Sequence, residues 1–445
     1  MKRAPYDVIV VGSGLSGLCA ALFAARAGKH TLLMTKGTGS LLIGSGTIDV
    51  LGTDRQARPL DNPFAGMDEL PVRHPYRLVG AETIRQALSS FRELCSEAGC
   101  AQEIRLDQTG QWANTELVTG LGTVKRSLLV PQSQSMHGVS GAENIFVIGI
   151  DRLKDFSCRL AAKTLACQPQ FAKKNVAPIL LHSPLPQGDP QYGTRDLGTL
   201  DLAHYLDSPD GVEWLAKSLG DALPKAAGRS VILIPPILGT KPGNAAHAEL
   251  CRQVGLPVYE IVSMLPCVTG MRLDTLLRDL CKHHGVDIME QAEVTGARVE
   301  NKCCLSLFTR NNNRERAYRA GSFIIATGGI LGEGFRTSPH RAWEVIFNLD
   351  LPMNPTSPEW SHPQFFSSPT HGFSLLGPNV DRFLRPLGPD GTPVCSNVFF
   401  IGKTLGGYDE AAEKSGNGVA LATAFFAVRH ICRNGQPDTA EGEQA

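Results

Sequence analysis

A glycine fingerprint near the N-terminus constrains the fold more than any other feature of the sequence. Residues 6–11, YDVIVV, lead into Gly12-x-Gly14-x-x-Gly17, and residues 15–28 have the pattern of a helix. In such a strand–turn–helix, Gly12 permits the tight turn, Gly14 lets the backbone approach a phosphate and Gly17 lets the helix lie close to the strand. The stretch therefore predicts a nucleotide-binding βαβ unit.

The end of the second predicted strand, residues 31–35, departs from the usual pattern of such a unit. That strand normally ends on Asp or Glu, which binds the ribose of an adenine nucleotide. Here it ends on Thr35-Lys36-Gly37. The sequence thus raises the question of which cofactor is bound without a ribose carboxylate.

Two later glycine-rich stretches predict that distant parts of the chain return to the same site. Residues 323–329, FIIATGG, are predicted to be a strand that ends on glycines, and residues 397–402 another that ends on Gly402. A long helix is predicted over 416–434, and its positive N-terminal dipole would face an electron-rich ring edge such as that of a flavin. An NAD dehydrogenase needs only the first stretch, so the spread of all three favours flavin over nicotinamide.

Bulk composition excludes several classes of function. Lys plus Arg and Asp plus Glu both total 43, so the net charge is zero, and no basic stripe predicts nucleic-acid binding. The chain has no run of about 18 apolar residues, and its first apolar run is too short for a signal peptide. The twelve cysteines form no C-x-x-C pair, which argues against a metal or iron–sulfur site held by this chain alone. We therefore expect a cytoplasmic protein without a membrane span.

The order of predicted elements indicates that one α/β layer interrupts another. Residues 144–165 are predicted to be strand then helix and residues 229–264 strand, helix and strand, whereas 55–80 are predicted to be irregular and 81–98 helical. The predicted fold class is α/β, a Rossmann-like FAD/NAD(P)-binding flavoprotein fold with an inserted α/β domain. The predicted division is a nucleotide-binding domain in three parts, 1–80, 266–345 and 391–445, an inserted substrate or partner domain, 81–265, and a cap or loop segment, 346–390.

Motifs along nearly the whole chain resemble those of one family. They read VVGSGLSGLCAAL near the N-terminus, SGTIDVLG at 45–52, HPYRLVG at 74–80, MLPCVTGMRL at 264–273, LGPNVDRFLRP at 376–386 and NVFFIGKTLGGYD at 397–409, with LGTVKRS, FVIGIDRLKDF and IIATGG between them. Together they resemble the B subunit of anaerobic glycerol-3-phosphate dehydrogenase, a relative of the flavoprotein subunits of fumarate reductase and succinate dehydrogenase.

The resemblance implies a respiratory function. It implies a flavoprotein that works with a catalytic A subunit and with an iron–sulfur C subunit, which holds the complex at the inner face of the cell membrane. The complex would oxidise sn-glycerol 3-phosphate to dihydroxyacetone phosphate and pass electrons to quinone, with fumarate or nitrate as terminal acceptor. Two alternatives stay open: a non-catalytic scaffold subunit with the flavoprotein fold, and a fumarate-reductase-like oxidoreductase acting on a dicarboxylate.

The family's B subunit is usually assigned FMN, which bears on the missing ribose carboxylate. FMN has no adenosine ribose, so Lys36 would be free to contact its phosphate as a point charge. FAD stays the alternative, because relatives in the fumarate reductase group have a Ser-Lys pair here and bind FAD. The predicted cofactor-binding residues are Gly12, Ser13, Gly14, Gly17, Thr35, Lys36, Ser45, Gly46, Ala326, Thr327, Gly328, Gly402, Gly407, Gly418 and Val419.

Four residues in the family-like stretches are candidates for substrate chemistry. Oxidising a secondary alcohol needs a base for the hydroxyl proton and cations for the substrate phosphate. The candidates are His74, Arg272, His371 and Arg385. Either arginine could hold an anion through two parallel hydrogen bonds. In the family the A subunit is thought to carry the substrate chemistry, so the prediction rests more on the cofactor residues than on these four.

Overall fold

The computed structural model divides the chain into two compact units. The structure describes residues 6–185, 196–225, 228–262, 266–311, 314–353, 355–364 and 371–434. The first unit comprises Met1–Gly39, Met67–Ser90 and Leu277–Ala445, and the second unit comprises Ser40–Gly66 and Phe91–Leu276.

Helices and strands are numbered in chain order. The helices are α1 (Leu15–Arg26), α2 (Pro75–Val79), α3 (Ala81–Glu97), α4 (Cys158–Ala166), α5 (Thr199–Tyr205), α6 (Pro209–Ala222), α7 (Ala245–Val254), α8 (Val268–His283), α9 (Glu410–Glu413) and α10 (Gly416–Asn434). The strands are β1 (Tyr6–Val11), β2 (Thr31–Met34), β3 (Gln102–Leu106), β4 (Trp112–Ala113), β5 (Thr115–Val118), β6 (Val124–Ser127), β7 (Leu129–Pro131), β8 (Asn144–Ile150), β9 (Asn175–Leu181), β10 (Ser230–Ile234), β11 (Val258–Glu260), β12 (Asp287–Met289), β13 (Glu293–Glu300), β14 (Cys303–Asn311), β15 (Arg314–Tyr318), β16 (Ala320–Ile325), β17 (Phe335–Ser338), β18 (Arg341–Glu344) and β19 (Val398–Phe400).

The first unit is built on a sheet of five parallel strands in the order β12-β2-β1-β16-β19. Strand β1 lies at its centre, where Val10 pairs with Leu33 on one side and Ile324 on the other. These side chains are fully buried, as expected for a parallel sheet covered on both faces. Along the chain the strands first move outward from β1 through β2 to β12 and then restart at β16, so the strand order reverses between β1 and β16.

Helix α1 packs on this sheet, and helix α10 packs on α1. The α1 helix is buried along most of its length, and small side chains such as Ala21 allow close packing. The rings of Phe23 and Phe425 lie 5.4 Å apart at 87°, an edge-to-face contact. The N–H of Gly402 donates to Thr423 Oγ1 at 3.0 Å and so ties α10 to the end of β19.

The second unit has its own parallel sheet, in the order β11-β10-β8-β9. Every residue of β8 is buried, and Pro178 lies on the edge strand β9, where a missing N–H removes no bond from the centre of the sheet. Helices α4 and α6 begin at hydroxyl caps, Ser157 and Ser208, whose side chains accept N–H groups of the first turn. The strand order of this sheet also reverses, between β8 and β10.

The fold class predicted from the sequence is confirmed, since both units are α/β and the glycine turn follows a central parallel strand. Residues 55–80 were expected to be irregular, which is wrong at α2. That short helix forms because His74 caps it and Pro75 occupies its first position. The short antiparallel strands β3 to β7 were not predicted. The domain boundaries stay a prediction.

Among the described helices, none combines the length and hydrophobicity that a membrane crossing requires. Within the described ranges, no group of three or more His, Cys, Asp or Glu side chains could hold a metal ion.

Candidate functional site

The candidate site lies at the carboxyl edge of the five-stranded sheet, where β1 and β16 end side by side. In open parallel sheets, ligands bind outside the carboxyl ends of the strands at the point where the strand order reverses. Gly12 follows β1 with φ +105°, and a Cβ on it would lie 2.3 Å from the carbonyl oxygen of Ala326. A Cβ on Gly17 would lie 1.8 Å from the carbonyl oxygen of Gly12. The predicted glycine turn and the predicted end of β16 are therefore brought together, and only glycine fits at these two positions.

Gly14 differs from its two neighbours in the fingerprint because it faces open space. Apart from its chain neighbours and the backbone of α1, no atom of the described residues lies within 4 Å of the position that its Cβ would take. Gly14 is the N-cap of α1, no side chain caps the helix there, and no acidic residue stands in the first turn. The backbone N–H groups at the start of α1 and the helix dipole are therefore placed to bind an anion such as a phosphate.

Thr327 supplies the clearest sign that the site is built for a ligand. Its Oγ1 is buried and has no hydrogen-bond partner among the described residues. Gly334 packs so closely that a Cβ there would lie 2.5 Å from this oxygen. The neighbouring N–H of Gly328 donates to Thr404 Oγ1 at 3.2 Å. A buried hydroxyl without a partner is costly unless a bound group pairs with it, so the residues at this edge fit a nucleotide-type cofactor.

At the end of β2, Thr35 and Lys36 both make polar contacts with other side chains, so Lys36 does not stand alone there. Ser13 Oγ and Thr35 Oγ1 lie 2.7 Å apart, and both are buried. Lys36 Nζ lies 2.5 Å from Glu333 Oε2 and 2.9 Å from Glu293 Oε1. The hydrogen bonds to Glu333 and then to Glu293 raise the pKa of Lys36 above its usual value. The ammonium group expected to contact a phosphate is thus held by two carboxylates, and its phosphate contact stays a prediction.

Arg278 reaches this part of the site from helix α8. Its Nη2 donates to Ser13 Oγ at 3.2 Å, and its Nη1 lies 3.7 Å from Glu290. The sequence analysis did not identify Arg278, Glu293 or Glu333. No local motif marks them, because each meets its partner across more than 250 residues of chain.

Two of the C-terminal glycines pack against different parts of the first unit. A Cβ on Gly402 would lie 2.5 Å from Ser16 Oγ, at the start of α1. Gly407, with φ +84°, lies against the carbonyl of Arg73. Gly418 and Val419 are buried in the first turn of α10, which carries no acidic residue. The N-terminus of α10 is thus compatible with the negative ring edge expected there.

His74 is fully buried and uses both ring nitrogens within the protein. Nδ1 accepts the N–H of Tyr76 at 3.0 Å, which leaves the proton on Nε2, and Nε2 lies 3.0 Å from Glu413 Oε2. The ring also meets Tyr408 edge-on at 5.6 Å. Since neither nitrogen faces open space, these contacts favour a structural role over the catalytic role considered for His74.

The other two candidates in the first unit also make internal contacts. Arg385 Nε and Nη2 lie 2.8 and 2.7 Å from Asp381 Oδ2, and this pair closes a five-residue turn. His371 Nδ1 accepts the N–H of His362 at 2.9 Å, and its ring stacks on Phe373 at 5.1 Å. Their predicted roles in substrate binding are not tested by these contacts and stay predictions.

Ser45 and Gly46 belong to the second unit. Ser45 Oγ accepts from Lys125 Nζ at 2.9 Å, and the same ammonium contacts Asp49 Oδ2 at 2.7 Å. Gly46 has φ +74°, and a Cβ there would lie 2.7 Å from the carbonyl group of Thr269. The loop that contains Ser45 and Gly46 is therefore held by contacts within its own unit, and the cofactor-binding roles of these two residues stay predictions.

Arg272, the last candidate, forms a buried ion pair in the second unit. Its Nη1 and Nη2 donate to the two carboxylate oxygens of Glu260 at 2.6 and 2.9 Å, and its Nε donates to the carbonyl of Gly239 at 2.7 Å. Burial alone would raise the pKa of Glu260, but the charge of Arg272 outweighs it and holds that pKa below its usual value. Ser133 Oγ donates to the same carboxylate at 2.7 Å.

Comparison with known proteins gives the family. The family model described as "FAD binding domain" matches residues 7–419. The B subunit of anaerobic glycerol-3-phosphate dehydrogenase from Vibrio vulnificus is 30% identical over 95% of each chain, and the protein of that name from Vibrio cholerae is 29% identical over 96% of each chain. A solved 3-ketosteroid delta1-dehydrogenase from Sterolibacterium denitrificans aligns with 97% of this chain and 100% of its own at 11% identity, with a TM-score of 0.41, too low to carry a conclusion.

The glycine turn at the reversal point of a buried parallel sheet defines a nucleotide-binding oxidoreductase of the flavoprotein class. The family model and the relatives both match nearly the whole chain, and the fold also comprises nearly the whole chain. The chain belongs to the FAD-binding flavoproteins and, within them, to the family of anaerobic glycerol-3-phosphate dehydrogenase B subunits, which confirms the resemblance seen in the sequence.

Proposed function

We propose that this chain is the flavin-bearing subunit of a respiratory glycerol-3-phosphate dehydrogenase. It works with a catalytic A subunit and an iron–sulfur C subunit, and through these partners it lies at the inner face of the cell membrane. The observation that carries the proposal is the meeting of the Gly12 turn with Ala326, beside the buried Thr327 Oγ1, which has no hydrogen-bond partner in the described part of the chain. Relatives named as the B subunit, matched over 95% of their length, support the assignment to a multi-subunit enzyme.

The reaction balances as a two-electron oxidation. The secondary alcohol of sn-glycerol 3-phosphate loses a hydride from carbon and a proton from oxygen, which gives dihydroxyacetone phosphate. The two electrons travel through the partner subunits to quinone, which takes up two protons and becomes quinol, and fumarate or nitrate is the terminal acceptor. The flavin, when bound, would supply a carrier that accepts two electrons and can pass them on singly.

The chain's own residues would bind and orient this cofactor. The uncapped first turn of α1, which begins at Gly14, would hold a phosphate through backbone N–H groups. Thr327 Oγ1 would hydrogen-bond to a polar group of the cofactor, and the N-terminus of α10 would stabilise negative charge on the reduced ring. None of these roles requires a catalytic base in this chain, so substrate oxidation is assigned to the assembled complex.

Within this proposal we favour FAD over FMN. The matching family model is named for FAD, and carboxylates of Glu293 and Glu333 lie beside Lys36 at the end of β2. An adenosine ribose is usually bound by a carboxylate at the end of this strand. Here carboxylates lie at that end of β2, although they belong to residues from elsewhere in the chain. Since Lys36 is already paired with these groups, the argument for an FMN phosphate at its ammonium loses support.

The test is acid release of the cofactor from the complex purified with its partner subunits, followed by mass identification. We expect FAD, and a flavin absorbance that bleaches with glycerol 3-phosphate only when the partner subunits are present. A folded, colourless preparation that takes up neither FAD nor FMN would identify a scaffold subunit instead. Viologen-linked fumarate reduction by this chain alone would identify a dicarboxylate oxidoreductase.

A further inference from the structure

Three exposed leucines surround the start of helix α4 in the second unit. Leu121, Leu160 and Leu180 are 52%, 50% and 54% exposed, and Leu160 lies in the first turn of α4 itself. A single exposed leucine is common on a protein surface and needs no explanation. Several around one short helix form an apolar surface whose partner can be asked for.

Backbone contacts place the other two leucines beside the same turn of α4. The leucine of the β5–β6 hairpin precedes Gly122, which packs so closely that a Cβ on it would lie 2.1 Å from the carbonyl oxygen of Ala161. On the edge strand β9, Leu180 covers Gly149 together with Cys158, the first residue of α4. The hairpin turn, α4 and β9 therefore form one surface, called here the α4 surface.

The α4 surface is also basic. Residues 156–185 contain four basic residues and no Asp or Glu, in a chain whose net charge is zero. Arg159, Lys163 and Lys173 are exposed, and none of the three forms an ion pair within the described part of the chain. Lys174 donates to two backbone carbonyl oxygens, which do not neutralise its charge. The leucines are therefore accompanied by unbalanced positive charge.

The carboxylates at the margin of the α4 surface have other partners. Glu116 pairs with Arg126 in the hairpin at 3.0 Å, and Asp151 contacts His182 at 2.9 Å. Asp155 accepts a backbone N–H at the start of α5 at 3.1 Å. None of these carboxylates forms an ion pair with a basic side chain of the α4 surface, so the positive charge there is available to an anionic partner.

The composition and spacing of the α4 surface favour a lipid bilayer over a protein as this partner. Protein interfaces are enriched in aromatic residues and Arg and are depleted in Lys, whereas here exposed lysines accompany leucines. The leucines also stand on three separate elements and do not line one groove. A bilayer has no fixed shape, so each leucine can enter the acyl region while the flexible lysines stay at the level of the lipid phosphates.

We propose that the α4 surface binds directly to an anionic lipid membrane. The leucines contact acyl chains, and Arg159, Lys163 and Lys173 contact the phosphates of the headgroups. The affinity for anionic lipid rests on the surface itself, whereas the choice of the inner face of the cell membrane rests on the proposed function. The chain thus has a membrane contact of its own in addition to the attachment through its partner subunits.

The test is sedimentation of the flavin-loaded full chain with phosphatidylcholine vesicles, with and without phosphatidylglycerol as about one third of the lipid. We expect binding to the anionic vesicles that weakens as salt is added, and at least about tenfold weaker binding to phosphatidylcholine alone. The double substitution Arg159→Ala and Lys163→Ala removes two charges and keeps good helix formers, so the fold is not weakened. We expect it to raise the Kd about twentyfold, and Leu160→Ser to raise it about fivefold.

The matched control is the double substitution Lys217→Ala and Lys225→Ala, which removes two charges from exposed positions on α6 and just after it. Helix α6 covers the other face of the sheet, because crossovers between parallel strands are right-handed and the connections through α4 and α6 run in opposite directions. Leu305→Ser, at an exposed position of β14 in the first unit, is the control for Leu160→Ser. We expect both controls to leave the Kd unchanged.

Three results would overturn the proposal: no binding to the anionic vesicles, equal binding to both lipids, or an unchanged Kd in both α4 variants. The same variants are also mixed with the purified A subunit. If they weaken that complex while the wild-type chain ignores vesicles, the α4 surface is a protein interface instead. The vesicles contain no substrate, quinone or partner subunit, so a failure here leaves the proposed function standing. Vesicle binding by a chain that takes up no flavin would do the reverse.

Discussion

His74 Nε2 lies 3.0 Å from Glu413 Oε2, although the two residues are 339 positions apart in the sequence. The same imidazole caps α2 through Nδ1, so one buried side chain fixes the start of α2 and the end of α9. This arrangement gives His74 a role in stability, and its predicted role in catalysis stays a prediction.

We expect His74→Ala to lower the free energy of unfolding by about 2–3 kcal/mol, because it removes a helix cap and one of the donors to the Glu413 carboxylate and leaves a cavity in a buried place. Glu413→Gln is the matched variant, since its amide oxygen still accepts from Nε2–H, and we expect it to cost less than about 1 kcal/mol. Urea denaturation measures both. A large loss in Glu413→Gln with no loss in His74→Ala would contradict this account.

Substitutions in the glycine fingerprint can distinguish a role in folding, expected for Gly12, from a role in binding, expected for Gly14. Gly12→Ala places a Cβ 2.3 Å from the Ala326 carbonyl at φ +105°, and we expect it to cost about 3 kcal/mol or more. Gly14→Ala meets no protein atom within 4 Å, so we expect the apo chain to keep its stability within about 1 kcal/mol.

In contrast, we expect Gly14→Ala to raise the Kd for the flavin about tenfold or more, because the added methyl group occupies the space before the α1 N-terminus. Thermal unfolding of the apo chain and flavin titration by fluorescence quenching measure the two effects. Normal flavin affinity in Gly14→Ala would remove α1 from the binding site.

Glu344 makes stability depend on pH near neutrality. Burial raises its pKa to about 7, although its carboxylate accepts the N–H groups of Ile346 and Phe347. The folded state therefore holds the proton more tightly than the unfolded state, where the pKa is near 4.5. The contribution of Glu344 to the free energy of unfolding is therefore largest below pH 4.5 and falls by about 3 kcal/mol as the pH rises to 7.

Glu344→Gln mimics the protonated carboxyl, so we expect it to flatten this part of the pH dependence. Glu315→Gln, at an exposed position on β15, is the control and should leave the profile as in the wild type. Denaturant titrations at several pH values between 4 and 8 measure the slope. An unchanged slope in Glu344→Gln would assign the pH dependence to other groups.

The second unit contains a buried ion pair, Arg272–Glu260, and an exposed one, Arg252–Glu249. We expect Glu260→Gln to lower the free energy of unfolding by about 3 kcal/mol or more, because Arg272 is left as a buried charge without its counterion. Glu249→Gln breaks the exposed bond to Arg252 and should produce no measurable change. Equal effects of the two substitutions would show that Arg272 reaches solvent or another anion.

Local sequence constraints predicted the centre of the candidate site. Gly12 and Gly17 are required by close backbone contacts, and β16 is a short apolar strand followed by glycines. Both features can be recognised from residues that are adjacent in the sequence. The same holds for α10, whose start and end match the prediction over 416–434.

The polar partners could not be predicted, because their pairing is set by the tertiary fold. Lys36 meets Glu333 from the loop after β16, and nothing near either residue indicates the other. Arg272 was expected to face an anion from outside the chain, whereas the structure pairs it with Glu260 at the end of β11. Sequence identifies a charged residue readily but does not say which opposite charge lies beside it.

The strand order of the two sheets also determines the order in which they can form during synthesis on the ribosome. Strands β1 and β2 emerge first, yet their other neighbours, β16 beside β1 and β12 beside β2, emerge only after the whole of the second unit has been translated. The sheet of the second unit, from β8 to β11, can close as soon as its own segment leaves the exit tunnel. The nascent chain must therefore carry β1 and β2 without β16 and β12 beside them through most of its elongation, so the cofactor-binding edge of the sheet is the last part of the molecule to form.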